Sequence, residues 1–349
     1  MRSVALLNSF YIYSFMKRLF SISLFITSLL SPCYAQTYPS EAMQQAMQRD
    51  ETAFLQALSP TLQHTQALAV RTAMQGDTRA LQQIRASRNV KPTLPKGVMA
   101  IELTPTMTLF KTTQPTHVAR PVLLYLHGGG WCFGSINSCT RFCAAVAKAA
   151  NICVVALNYR LAPEHPYPAP LDDCRMAFNY LKRHATEFGG DTTHISIGGD
   201  SAGGNLAVAT AMTVGGKSRV QSLIPIYPVT ELFTRPTASW RAYAKGYGDD
   251  AELLEAFNEA YAAGQQQNPL VSVGLATDEA LQQLPPVLLI SAGHDILFDQ
   301  TDSWAKRLQS LSHPLHYHPF PTATHLFITV PGQPTAFNEA VRLTSEFLK

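Results

Sequence analysis

The chain has 349 residues, 46% of them hydrophobic and 15% charged, with 27 Lys and Arg against 24 Asp and Glu. That size and composition suit one large folded domain or two small ones, and they exclude a disordered or collagen-like protein. The near balance of charge argues against nucleic acid or another polyanion as partner.

The first 35 residues contain no Asp or Glu. Lys17-Arg18 precede an apolar run at 19–30, and Ser31-Pro32-Cys33-Tyr34-Ala35 follow. A charged start, an apolar core and a small-residue end form a secretory signal. The reading is a start at Met16, cleavage after Ala35 and a periplasmic or secreted protein. The run is shorter than the roughly 20 residues a membrane-spanning helix needs. The alternative is a lipoprotein anchored through Cys33, to which Pro32 is a poor fit. Removing Arg2, Lys17 and Arg18 leaves 24 basic residues against 24 acidic. Without Cys33 the six cysteines become five, so an exported chain keeps at least one free thiol. Cys139 and Cys143 share a helix face, and no Cys/His spacing resembles a zinc site.

Residues 36–95 read as helical. Met43, Met47, Phe54, Leu55 and Leu58 form a stripe within 40–58, with Ser40 as its cap. A second helical stretch covers 62–84. Pro92-Thr93-Leu94-Pro95 marks a boundary. Strand-like runs follow at 98–103, 107–112, 121–126 and 152–158, alternating with helical patterns at 138–150 and 169–184. Further strands are expected at 194–198, 222–227, 286–292 and 315–320, with a final helix at 335–348. This alternation predicts an α/β fold: a mostly parallel sheet with helices on both faces. Residues 230–269 interrupt it with Phe233, Trp240, Tyr243, Tyr247, Phe257 and Tyr261. Such an insertion reads as a lid or as a satellite core.

Four constellations carry chemistry. His127-Gly128-Gly129-Gly130-Trp131 follows a strand. Its glycines let backbone N–H groups turn toward a developing oxyanion, with Gly128 and Gly129 as first choice and Gly130 able to replace Gly128. Gly199-Asp200-Ser201-Ala202-Gly203 joins strand 194–198 to the helical run 205–214. The glycines there let strand and helix approach while a sharp turn presents Ser201, and Ala202 supplies a further oxyanion N–H. Asp200 anchors a loop, tunes the elbow or is merely solvated. Asp295 follows strand 286–292, at the carboxyl end where open α/β sheets place their chemistry. Asp299 and Asp302 compete with it, and Asp299 is expected to cap the next helix. His325 follows strand 315–320, whereas His316 and His318 fit ordinary strand positions. The chain order Ser201, Asp295, His325 is that of a nucleophile, acid and base on an α/β-hydrolase sheet. No cysteine lies on an elbow, and Cys132 fits core packing.

From Lys96 to Lys349 the chain resembles the hormone-sensitive-lipase family of α/β-hydrolases, the bacterial family IV esterases. The resemblance rests on His127–Trp131, on the run from Asn158 to Pro166 (NYRLAPEHP), on Gly199–Gly204, on the Asp295 segment and on His325. It implies carboxylic ester hydrolysis of a small molecule without metal or organic cofactor, in a domain at 96–349 capped by 36–95 and by an insertion at 230–269. An amidase or deacetylase using the same triad, or a non-catalytic binding member of the fold, are the alternatives. Two departures stand out: Leu326 where the family has Gly, and Val271-Ser272-Val273 where it has Ser-Pro.

Overall fold

A computed structural model describes residues 34–233 and 236–349. The secretory leader read at 1–35 therefore lies outside the described residues, apart from Tyr34 and Ala35. In chain order the elements are β1 (Tyr34–Gln36), α1 (Glu41–Ala57), α2 (Leu62–Met74), α3 (Arg79–Arg88), β2 (Val98–Thr104), β3 (Met107–Thr112) and β4 (Arg120–Leu126). Then come α4 (Ile136–Ala150), β5 (Cys153–Leu157), α5 (Ala169–His184), β6 (Gly190–Asp200), α6 (Ala202–Val214) and β7 (Leu223–Ile226). The chain continues through α7 (Ala238–Tyr243), α8 (Ala251–Ala262), α9 (Asp278–Gln282), β8 (Val287–His294), α10 (Phe298–Ser310), β9 (Leu315–Thr324) and α11 (Pro334–Phe347).

The strands form one sheet in the order β1-β9-β8-β7-β6-β4-β5-β3-β2. Only β2–β3 and β3–β5 pair antiparallel; every other neighbour is parallel. The parallel strands are near-continuous apolar runs because both faces are covered. Alternate residues feed two cores. Leu124, Val155, Ile197 and Leu289 point to one face, and Leu123, Val154, Ile224 and Ile290 to the other. All five cysteines from Cys132 to Cys174 are buried and unpaired. No described helix is long and apolar enough to cross a membrane.

Three sequence expectations change. The stretch 62–84 is two helices, because Gly76 takes a left-handed φ of +103° and Asp77 accepts from Arg79 N at 3.2 Å, starting a new helix. Strand 194–198 extends to Gly190–Asp200; its polar first half is recruited by backbone pairing of Gly190 with Arg120. Asp299 does not cap α10. Its carboxylate accepts from Ser239 N at 2.8 Å, and its own N–H donates to Ser239 Oγ at 3.2 Å, so it fastens α7 to α10.

Helix α1 packs on β9 and α11, α3 on α2, and α7 on α10. Ser40 caps α1 by accepting from Met43 N at 3.3 Å. Helix α8 packs on α2, with Glu252 contacting His64 at 2.9 Å and Arg71 at 3.4 Å. Arg85 of α3 reaches into the body of the domain. It donates to the carbonyls of Cys132 and Ala162 at 2.8 and 2.7 Å and pairs with Glu164 at 2.7 Å. The aromatic insertion docks inward: Tyr261 stacks on Trp131 with centroids 4.3 Å apart, and Phe257 meets Phe133 edge-on at 5.6 Å.

Candidate active site

β6 ends at Asp200, α6 begins at Ala202, and Ser201 sits between them at φ 55°, ψ −121°. A non-glycine residue there is strained by roughly 1–3 kcal/mol and persists only because its surroundings over-determine it. Those surroundings are glycine-built. A Cβ on Gly203 would lie 2.0 Å from the Leu126 carbonyl oxygen, and one on Gly199 would lie 2.4 Å from that of Gly203. Ser201 N donates to the Ile226 carbonyl at 2.9 Å, locking the turn to β7.

Beside the serine, the loop after β4 turns through Gly129 (φ 117°), Gly130 (φ 59°) and Trp131 (φ 56°). The Gly129 carbonyl closes the turn by accepting from Phe133 N at 2.8 Å. Gly128 differs from its expected role. Its N–H donates to Asp200 Oδ1 at 3.1 Å, and that oxygen also accepts from Tyr125 OH at 3.0 Å. The Gly128 amide is therefore committed to Asp200, and Asp200 anchors the glycine loop. Among the described residues no acceptor takes the N–H of Gly129, Gly130 or Ala202. Burial pushes the Asp200 carboxyl up to about 6, against the opposing hydrogen bond from Tyr125. His127 braces the loop from below. Its Nδ1 donates to the Gly128 carbonyl at 2.9 Å, and its ring stacks on Tyr159 at 4.3 Å. Tyr159 OH donates to the His127 carbonyl at 2.6 Å. Burial lowers the His127 pKa to about 4, so the ring is neutral at pH 7.

Asp295 and His325 are brought together. Asp295 follows β8, accepts from Leu297 N at 2.9 Å through Oδ1, and meets His325 Nδ1 at 2.6 Å through Oδ2. Both side chains are 1% exposed. Asp302 instead contacts Tyr317 OH and Lys306, at 3.2 and 2.7 Å. His318 Nδ1 contacts Thr37 Oγ1 at 2.6 Å, and His316 lies edge-on to Phe347. Neither is part of this cluster. The His325 carbonyl accepts from Gln333 Nε2 at 3.2 Å, and the Tyr227 ring lies 4.4 Å from the imidazole. No hydrogen bond joins Ser201 to His325, whose Nε2 has no hydrogen-bond partner among the described residues. Catalytic hydrogen bonds of unliganded sites are commonly long and tighten on substrate.

Sequence reasoning missed Asp249. It lies in the loop between α7 and α8, and its Oδ2 comes within 3.4 Å of His325 Nε2. Only tertiary packing brings it there; no motif surrounds it. Burial alone would depress the His325 pKa, but Asp295, Asp249 and Asp200 outweigh it and raise the value to about 9. Asp249 is itself raised by burial, with the His325 charge opposing. Among the described residues no group of three or more His, Cys, Asp or Glu is arranged to hold a metal.

A family model described as the α/β-hydrolase fold matches residues 123–329, from the middle of β4 to just beyond His325. The chain belongs to the α/β-hydrolase family. Within it, the chain groups with the family IV carboxylesterases. It is 33% identical to the esterase LipI of Mycobacterium tuberculosis over 65% of this chain and 72% of that protein. It is 35% identical to the carboxylesterase NlhH of the same organism, over 60% of this chain and 66% of the relative. An ester-hydrolase from the metagenome of Lake Arreo superposes with a TM-score of 0.65 at 26% identity, covering 88% of this chain and 98% of that one. The chain spans about two thirds of the length of the curated relatives it matches.

Against that family pattern, this α/β-hydrolase places Leu326 at φ 73°, a backbone region that favours glycine. At the second departure Ser272 is fully buried, accepting from Leu232 N at 2.9 Å and donating to the Gln266 carbonyl at 2.6 Å.

Proposed function

We propose that this α/β-hydrolase is a serine carboxylesterase for short- to medium-chain esters. Ser201 attacks the ester carbonyl. His325 takes the serine proton and returns it to the departing alcohol, and Asp295 orients the imidazole and stabilises its charged form. The N–H groups of Gly129, Gly130 and Ala202 hold the oxyanion. Asp200 and His127 position the loop that carries two of those donors. The observation that supports this reading best is the strained Ser201 apex beside free loop amides, at the same sheet edge as the 2.6 Å Asp295–His325 pair.

The cap supports a finite acyl pocket. Phe257 lies so close to Gly130 that a Cβ there would meet its ring at 2.0 Å, and Tyr261 covers Trp131. Each methylene added to the acyl chain gains about 0.8 kcal/mol of burial until the wall is reached. A series of p-nitrophenyl esters from acetate to palmitate tests this. Specificity constants are expected to rise, peak by about octanoate and collapse. A steady rise through palmitate, with a jump at the micelle threshold, would make the protein a true lipase. Faster cleavage of p-nitroanilides than of matched esters would make it an amidase.

We further propose export, with maturation after Ala35 and residence in the periplasm or medium. Intact mass of the exported protein should begin at Gln36. A diacylglyceryl adduct on Cys33 would replace this with a lipid-anchored form.

A further inference from the structure

In a serine hydrolase Nε2 of the catalytic histidine passes its proton to the departing alcohol oxygen. Any group in contact with Nε2, other than the nucleophile, therefore borders the alcohol half of the substrate. Asp249 is such a group, with Oδ2 3.4 Å from His325 Nε2 and a side chain 9% exposed. No hydrogen bond from a described residue reaches its carboxylate; its one close polar contact is His325 Nε2.

The cap holds this carboxylate in place from both sides. Gly246 and Gly248 take left-handed φ values of 83° and 113°, which lets the loop double back over His325. Gln63 of α2 donates to the Gly248 carbonyl. The neighbouring Asp250 turns away, accepting from Gly246 N at 2.6 Å, while its carbonyl begins α8 through Leu253 N and Leu254 N. Besides His325, the cation that acts on Asp249 is Arg88, which lies over the Phe133 ring at 5.2 Å and acts only through its charge.

A largely buried carboxylate whose one close polar neighbour is a histidine that must be neutral to act as a base is costly, and a ligand that brings a donor relieves that cost. We propose that Asp249 is a specificity-determining residue that selects esters whose alcohol half carries a hydroxyl on the carbon beside the ester-bearing carbon, that is, esters of vicinal diols and other polyhydric alcohols. A simple alkyl alcohol offers Asp249 no donor. A hydroxyl one carbon beyond the ester-bearing carbon spans the distance from the leaving oxygen to the carboxylate beside Nε2. The inference rests on the ester-hydrolase reading and refines the substrate of that same site.

The test compares 2-hydroxyethyl butyrate with propyl butyrate, which matches it in size, and with butyrylcholine, which carries charge but no donor. The wild-type protein should favour the hydroxyethyl ester over the propyl ester by about 10- to 100-fold in kcat/KM, the range of a hydrogen bond to a charged group. Asp249→Leu should bring that ratio to about one, and Asp249→Asn, which keeps an acceptor, should retain part of it. A loss of activity with the ratio intact would assign Asp249 a purely structural role and overturn the proposal. So would equal wild-type constants for the two esters, a result that needs no variant to fold. A gain for butyrylcholine alone would also overturn it, in favour of charge attraction. Cleavage of none of the three esters would instead count against the ester-hydrolase reading itself.

Discussion

Around Ser201 three strands and a helix meet with no room for one added methyl group, whereas the cap is held together and onto the site by side-chain hydrogen bonds, ion pairs and ring contacts. In the first region the walls are backbone and one buried carboxylate: Gly203 faces the carbonyls of Leu126 and His127, and Gly128 faces Asp200. In the second, the contacts are Arg71 and His64 with Glu252, Arg85 with Glu164, and Gln63 with the Gly248 carbonyl. The contrast separates two tasks. Chemistry needs a geometry that cannot relax, so it is built from glycine and strain on the sheet. Selection needs a surface that differs between relatives, so it is built from side chains on inserted segments.

The largest expected effect breaks the first region. In Gly203→Ala the new methyl would lie 2.0 Å from a backbone oxygen that has nowhere to go. A thermal melt by circular dichroism should show loss of the cooperative transition or a severe drop in its midpoint. A wild-type melt would mean the elbow is looser than its geometry implies.

Next comes Asp295, the proposed acid. Asp295→Asn should leave the melt nearly unchanged while lowering kcat by about 10⁴-fold, because the amide favours the wrong imidazole tautomer. Asp299→Asn, which loosens only the Ser239 tie, should lose stability and keep most of its turnover. Equal rate losses in the two variants would remove the distinction drawn between these carboxylates.

A pH profile joins the regions. As the proposed base His325 acts only when neutral, and Asp295, Asp249 and Asp200 together raise its pKa to about 9. The kcat/KM of the free enzyme should therefore climb as pH rises toward 9. Asp249→Asn removes one of those negative charges and should move the limb to lower pH. An unmoved limb would show that the cap carboxylate does not act on the base.

The smallest effects lie at the cap rim. Arg85→Ala loses two charge-assisted bonds to the Cys132 and Ala162 carbonyls and should cost about 1–3 kcal/mol in denaturant unfolding. Arg71→Ala removes a more exposed pair and should cost roughly 0.5 kcal/mol or less.

How far the site can be read from sequence follows the same division. Ser201, the glycine loop, Asp295 and His325 lie in short segments whose chemistry dictates local composition, so pattern and chain order point to them. The partner of the Gly128 amide is not legible in the motif, because a side chain 72 residues away, at Asp200, takes it. Asp249 is invisible because an unremarkable loop reaches His325 only through the packing of α8 on α2. The strand–helix alternation was legible from apolar periodicity, whereas the break at Gly76 and the three-residue β1 were not. One depends on a single left-handed φ and the other on an edge pairing with β9.

The central claim is that one strained serine does the chemistry. Treating the protein with a fluorophosphonate, then mapping the adduct by peptide mass spectrometry while following ester hydrolysis, tests it directly. The account predicts a single phosphonylated residue, Ser201, with activity lost in proportion to labelling. Hydrolysis that survives complete modification of Ser201, or inactivation with the label on another residue, would contradict it.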